Sequence, residues 1–210
     1  MDDQVVGRRE RKKRATRAAL SGAAWRLSVE RGVANVTVEQ IAEEADVALR
    51  TFFNYFSSKE EAVVAGDVAT AESLVESFRG RPADESVLEA LRHAVLAVVH
   101  DRYADRDRVE QMRAVRRTPA LLPHQLAAFV AQERALAAAV AERAGVDLDR
   151  ELYPALVAAA AMAGLRVAVQ RWLAEPETSG HQVSLAELAE GVITQLAAGL
   201  ETPLRAMTPS

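Results

Sequence analysis

Cysteine is absent from the 210-residue chain, which removes disulfide frameworks, thiolate nucleophiles and cysteine–zinc sites together. Aromatic residues are scarce, at 5%, and only 10 Gly and 7 Pro punctuate the sequence, whereas alanine fills 42 positions. Ala is the best helix former and a poor strand former, so an all-β fold is excluded and an all-α protein is expected. Half the residues are hydrophobic, enough for a core. No apolar stretch of the signal-peptide kind opens the chain. The longest apolar run, Leu152 to Leu165, is shorter than a bilayer span and carries Pro154. These features predict a soluble, cytoplasmic protein without a membrane partner.

Catalytic signatures are missing too. There is no Walker loop, no GxGxxG after a strand and no GxSxG elbow, so no enzyme activity and no cofactor are implied. The four histidines, His93, His100, His124 and His181, lack the paired spacing of a metal site, and none is expected.

The net charge of −4 is unevenly distributed. Residues 1–60 carry 11 basic and 9 acidic side chains, and the remainder carries 15 and 21. Arg8, Arg9, Arg11, Lys12, Lys13, Arg14 and Arg17 place seven cations in ten positions against Glu10 alone. Such a patch suits either a solubilising face or a phosphate-binding arm.

Periodicity and caps divide the chain into helices. The first is expected from about Arg9 to Arg31, with Leu20, Ala24 and Leu27 on one stripe and Gly32 as an αL C-cap. Thr37 with Gln40 forms a capping box for a short helix on Val38, Ile41, Ala42 and Ala45. Asp46 is able to close it in the αL conformation. Leu49 to Tyr55 reads as another short helix, and Ser58 with Glu61 caps a longer one toward Phe78. Further helices are expected at about 85–103, 107–117, 121–144, 150–175 and 184–200, the last opened by the Ser184–Glu187 box.

Two short helices joined by a tight turn have the dimensions of a helix-turn-helix, whose second helix fits the DNA major groove. In that second helix Arg50, Thr51, Asn54 and Tyr55 lie among Leu49, Phe52, Phe53 and Phe56, so hydrogen-bonding side chains share one element with aromatic anchors. The stretch ALSGAAWRLSVERGVANVTVEQIAEEADVALRTFFNYFSSKEEAVVAG, Ala19 to Gly66, resembles the DNA-binding half of the tetracycline-repressor (TetR-like) regulators. The resemblance rests on Glu30-Arg31-Gly32, Thr37-Val38 with Ile41-Ala42, Thr51-Phe52-Phe53-Asn54-Tyr55-Phe56 and Ser58-Lys59-Glu60-Glu61. It implies a three-helix DNA-binding domain with its basic arm at 1–57 and a larger helical ligand-binding and dimerisation domain at 58–210. By position it puts Thr37 at a helix N-terminus against phosphate, Leu49, Arg50, Thr51, Phe53, Asn54 and Tyr55 on or beside DNA, and Lys59 on phosphate. Arg14 of the arm joins them as a DNA contact. Two positions depart from the family: Phe53 replaces its usual Tyr, and Asp46 its usual turn Gly.

The C-terminal part carries little signature of its own. Leu122, Leu126, Phe129, Leu136 and Val140 form an apolar stripe interrupted by Glu133. His100, Tyr103, Met112, Arg116 and Trp172 are likewise polar tips or adaptable bodies on apolar helices. With Phe129 and Glu133 they form the candidate set for a small-molecule effector. The small residues from Ala158 to Gly164, including Ala160, permit close helix approach. With Leu188, Val192 and Leu196 they could build a four-helix bundle across a two-fold axis, and burial within one chain would explain them equally. The resemblance favours the dimer and implies a homodimeric, effector-responsive regulator, a repressor of a palindromic operator, with an all-helical small-molecule carrier as the alternative.

Overall fold

The structure, a computed structural model, describes residues 2–102, 114–174 and 183–199. They are helical throughout, with no strand among them. Tyr103 and Met112 lie outside the described residues, as does most of the helix expected at 107–117. The helices are α1 (Asp2–Arg31), α2 (Val38–Glu44), α3 (Leu49–Phe53), α4 (Lys59–Arg79), α5 (Val87–Arg102), α6 (Leu122–Ala144), α7 (Leu152–Ala174) and α8 (Leu185–Ala197), with 3-10 turns at Val33–Asn35 and Pro119–Leu121.

Local chemistry sets most of the boundaries. Thr37 Oγ1 accepts from Gln40 N at 3.3 Å while Thr37 N donates to Gln40 Oε1 at 3.0 Å, and Ser184 and Glu187 repeat the exchange. Two hydrogen-bonding groups that helix geometry orphans are satisfied at each site. Ser86 and Glu89 form a third box, at 3.0 and 3.3 Å, which fixes the start of α5. At α4 the exchange is displaced. Ser58 Oγ accepts from Glu61 N at 3.1 Å, but the Glu61 carboxylate takes Ser57 N and Ser57 Oγ, one residue earlier than a Ser58–Glu61 box would have it.

α1 begins seven residues before the expected Arg9. Arg31 in its last turn complements the helix dipole. Gly32 ends the helix with φ 78° and ψ 143°, a positive φ that needs glycine but lies outside the expected αL region.

The chain divides into two compact units, Met1–Ala69 with Glu110–Phe129, and Thr70–Val109 with Val130–Ser210. In the first, Leu20, Ala23, Ala24 and Leu27 of α1 meet Ile41 and Ala42 of α2, Phe52 and Phe56, and Ala62 to Ala65 of α4. Val115 and Leu121 join the same core from far along the sequence. Leu121 is 1% exposed, whereas Leu122 and Leu126, expected on the buried stripe, are more than 60% exposed. The 3-10 turn hands the core position to the residue just before α6 and so shifts the phase of the stripe.

The second unit packs α8 against both α5 and α7. Arg143 ties several of its backbone segments together. One terminal nitrogen donates to Pro82 O and Glu85 O at 2.7 and 3.2 Å, the other to Phe78 O and Arg81 O at 3.1 and 2.9 Å, and the guanidinium lies 5.0 Å from the Phe78 ring centroid. Carbonyls of the last turn of α4 and of the connection to α5 thereby share one charged donor. In the same connection Arg81 Nε binds the Glu85 carboxylate at 2.9 Å and, with His93 adding to the effect, lowers its pKa to about 2.

α7 corrects one expectation: the segment Leu152–Trp172 is long and apolar enough to cross a membrane by length and composition, because the helix runs on past Leu165. Ala158 and Ala161 lie fully buried in this unit, while the segment as a whole is 28% buried. Pro154 sits in its first turn, where no intrahelical N–H is required.

Gly164 of α7 faces α8 so closely that a methyl group there would overlap Val192 Cγ1. Gly164→Ala should therefore lower the unfolding free energy by about 1–3 kcal/mol in urea titration, the usual range for overpacking. Val192→Ala in the same chain should recover most of that loss.

Candidate nucleic-acid interface

α2 and α3 are joined by a turn held in the backbone. Asp46 N donates to Glu43 O at 3.0 Å and Val47 N to Ala42 O at 2.9 Å. Asp46 has φ 53°, in the left-handed region that Asp adopts more readily than most residues, as expected from sequence. Ala48 then returns to extended backbone and α3 begins. The helix proper ends at Phe53, two residues before the expected Tyr55. Asn54 and Tyr55 continue as turns, with Phe56 N still bonded to Phe52 O at 3.0 Å.

Phe52 and Phe56, four residues apart, are 0% and 2% exposed and anchor this segment in the core. Arg17 of α1 places its guanidinium 5.0 Å from the Phe56 ring centroid, a cation–π contact that ties α1 to the same anchor. Helical spacing then turns Leu49, Arg50, Phe53 and Asn54 outward. Thr51 and Tyr55 are half-buried, and Tyr55 packs against the core rather than standing free. The exposed surface of α3 thus has two ridges: Leu49 with Phe53, apolar, and Arg50 with Asn54, rich in hydrogen-bonding groups. Thr37 is also exposed, at the start of α2.

The cations of the arm, Arg14 included, are all exposed. They are distributed around α1 rather than along one face, as expected of a solvated helix carrying charge on every side. Arg26 reaches from α1 to α2 in an ion pair with Glu44 at 2.9 Å.

Lys59 is placed differently from the other candidates. Its ammonium donates to Val36 O at 2.7 Å and Ala34 O at 3.3 Å, clamping the start of α4 to the connection between α1 and α2. This positioning contact was missed from sequence because its partners are backbone atoms more than twenty residues away. An ammonium carries three N–H groups, so one remains for another acceptor.

The expected effector residues do not fall in one unit. Arg116 and Phe129 belong to the first, Glu133 and Trp172 to the second, all four half-buried. Tyr103, Met112 and the side chain of His100 lie outside the described residues. Of the expected dimer residues, Gly164 and Val192 meet each other within the chain. Ala160, Leu188 and Leu196 are half-buried. The open face of α7 carries Leu152, Leu156 and Val167, 54–70% exposed.

Residues 21–65 match the family described as bacterial regulatory proteins, tetR family, and residues 85–201 match the MftR C-terminal domain. The chain is 37% identical over 188 residues to the HTH-type transcriptional regulator TcmR of Streptomyces glaucescens, covering 86% of this chain and 83% of that protein. Among solved structures it is similar to FadR of Thermus thermophilus, a TetR-family transcriptional repressor in complex with lauroyl-CoA. The TM-score is 0.57 at 25% identity, covering 92% of this chain and 99% of that one.

The Lys59 clamp has a measurable consequence. Lys59→Met keeps the aliphatic stem and deletes two charge-assisted hydrogen bonds, so the unfolding free energy in urea should fall by about 1.5–3 kcal/mol, the worth of a hydrogen bond to a charged group. An unchanged denaturation midpoint would show that the ammonium does not brace the turn.

Proposed function

The chain belongs to the tetR family of bacterial regulatory proteins, DNA-binding and ligand-responsive transcriptional regulators, and on that premise we propose that it acts in the cytoplasm as a homodimeric repressor of a palindromic operator, released by a small hydrophobic effector. The observation that carries the reading is the outward face of α3 and its C-cap, where Leu49, Arg50 and Phe53 of a five-residue helix and Asn54 just after it stand exposed, anchored from behind by Phe52 and Phe56. A short helix this firmly seated can enter a major groove without reorganising.

Roles follow from position. Arg50 and Asn54 hold the donors for base edges, with Arg suited to guanine and Asn to adenine. Thr37, the free N–H of Lys59 and the arm cations around Arg14 serve phosphate, which fixes register without reading sequence. Thr51 and Tyr55, half-buried, support the edge of the helix. We assign the reading function to residues 1–57 and effector binding and dimerisation to 58–210.

Dimerisation doubles a site that one helix reads too briefly to be specific. Leu152, Leu156 and Val167 on α7, with Ala160 beside them, supply an apolar face for the second copy, and the half-buried Leu188 and Leu196 of α8 extend it. Gly164 and Val192 support the interface indirectly, by seating α7 on α8.

For the effector, the FadR relative was solved with lauroyl-CoA, an acyl chain on a polar carrier. We propose the same broad chemistry here, an apolar ligand with one polar end, with Glu133 as the candidate for that end and Trp172 for a wall, both in the second unit. Helices α4 and α6 each contribute residues to both units, so a ligand that shifts either helix acts on the reading head.

Selection of duplexes from a random pool, followed by mobility shift, tests the reading. A palindromic consensus is expected, and retention of no duplex would favour the carrier. Arg50→Ala should weaken binding by about 1–3 kcal/mol and relax preference at one position per half-site. Leu156→Glu should convert the dimer to a 22.7 kDa species in sedimentation, and a dimer that persists would place the interface elsewhere. Linkage requires an effector that weakens operator affinity to lose affinity by the same factor when operator is present, which paired titrations measure.

A further inference from the structure

Leu49 and Phe53 are the feature of the reading head that hydrogen bonding leaves unused. They are 40% and 56% exposed, one helical turn apart, on an element whose other large apolar side chains, Phe52 and Phe56, are buried. Phe53 carries no donor or acceptor, so a phosphate oxygen gains nothing from it. Its ring is nevertheless held in place: it meets the fully buried Phe52 ring edge-on, at 5.5 Å between centroids and 86° between planes. An aromatic side chain fixed in this way loses little rotamer freedom when it docks. Resting on the operator reading above, we propose that Leu49 and Phe53 form a specificity subsite for the C5-methyl groups of thymine in the major groove.

Three facts select this occupant. The head presents the seven exposed cations of the arm and Arg50 on α3, which complement a polyanion rather than an apolar protein partner. Arg50 and Asn54 run beside the apolar ridge, so both ridges would face the same groove. Within that groove the thymine methyl is the apolar group that stands out from the base edge, and cytosine bears only hydrogen at the same position, so it is the element an apolar side chain reads. Spacing sets the register. Four residues of helix rise about 6 Å, and successive bases on a strand lie about 3.4 Å apart, so the two side chains address thymines within roughly two base steps. The paired ridges then divide the work: Arg50 and Asn54 read hydrogen-bonding edges, while Leu49 and Phe53 distinguish thymine from cytosine on the presence of a methyl group.

Deoxyuridine tests this directly, because it pairs as thymidine does and lacks only the methyl. Duplexes selected by the full-length protein are resynthesised with deoxyuridine at one thymidine position at a time, symmetrically in both half-sites. At one or two positions per half-site the dissociation constant should rise about fourfold per methyl lost, the factor that burial of one such group supplies, and so by about fifteenfold for the symmetric pair. Phe53→Ala should bind more weakly and lose its sensitivity at one of these positions, Leu49→Ala at the other, while Arg50→Ala keeps both. Both apolar variants alter exposed side chains, and unchanged thermal unfolding verifies that they fold. Equal affinity for thymidine and deoxyuridine duplexes at every position overturns the subsite alone, as does undiminished sensitivity in Phe53→Ala. Failure of the wild-type protein to retain any duplex overturns the operator reading and the subsite together.

Discussion

The burial of Phe52 and Phe56 is the constraint on which the reading head depends. Four residues apart, they point to the same side of a short helical segment, and their burial compels Leu49, Arg50, Phe53 and Asn54 to the other side. Nothing else fixes α3 as firmly: it has no side-chain cap and spans only five residues, far too few to be stable alone. The helices around it act largely as walls for these two rings. α1 contributes Leu20 to Leu27, α4 contributes Ala62 to Ala65, and Arg17 covers the Phe56 ring where it approaches solvent. Recognition geometry is therefore a consequence of core packing, and a change in that core is felt at the surface even when no surface residue is altered.

The head is also not a purely N-terminal object. Val115 and Leu121 enter its core from a segment that follows α5, about fifty residues along the chain from α4's contribution to the same cluster. At the other end of α4, Arg143 of α6 gathers four backbone carbonyls around its guanidinium. The helix that follows the reading segment is thus braced at its start by Lys59 and at its finish by Arg143, in each case by a cation on backbone oxygen. Such contacts depend on where the chain runs rather than on which side chains it bears, so they hold the path of α4 while its surface residues vary.

Much of this was legible in the sequence. The alanine excess and sparse aromatics indicated helices alone, and the boxes at Thr37 and Ser184 were visible because they are local: a hydroxyl, a carboxamide or carboxylate, and a fixed spacing. Asp46 in the turn was legible for the same reason. What remained hidden was long-range. The clamp of Lys59 on Val36 O and Ala34 O has no local signature, and the stripe through Leu122 and Leu126 reads inward because periodicity cannot register a 3-10 turn that shifts the phase. Gly164 shows a further limit: a small residue signals close approach, but only the fold reveals that its neighbour is Val192 of the same chain. The effector residues were drawn from polar tips on apolar helices, a pattern that does not reveal which side chains the fold gathers into one unit.

The contact between Gly164 and Val192 bears on how this chain can change over generations. The two positions, on different helices and twenty-eight residues apart, share a single volume, so neither is free to drift alone. A lineage that gains a methyl at 164 must surrender one at 192, either first, leaving a small void, or soon after, while the helices are forced apart. Because the void is the milder intermediate, the order of substitution is itself constrained, and related chains should record the pair as a coordinated exchange of size rather than as two independent substitutions.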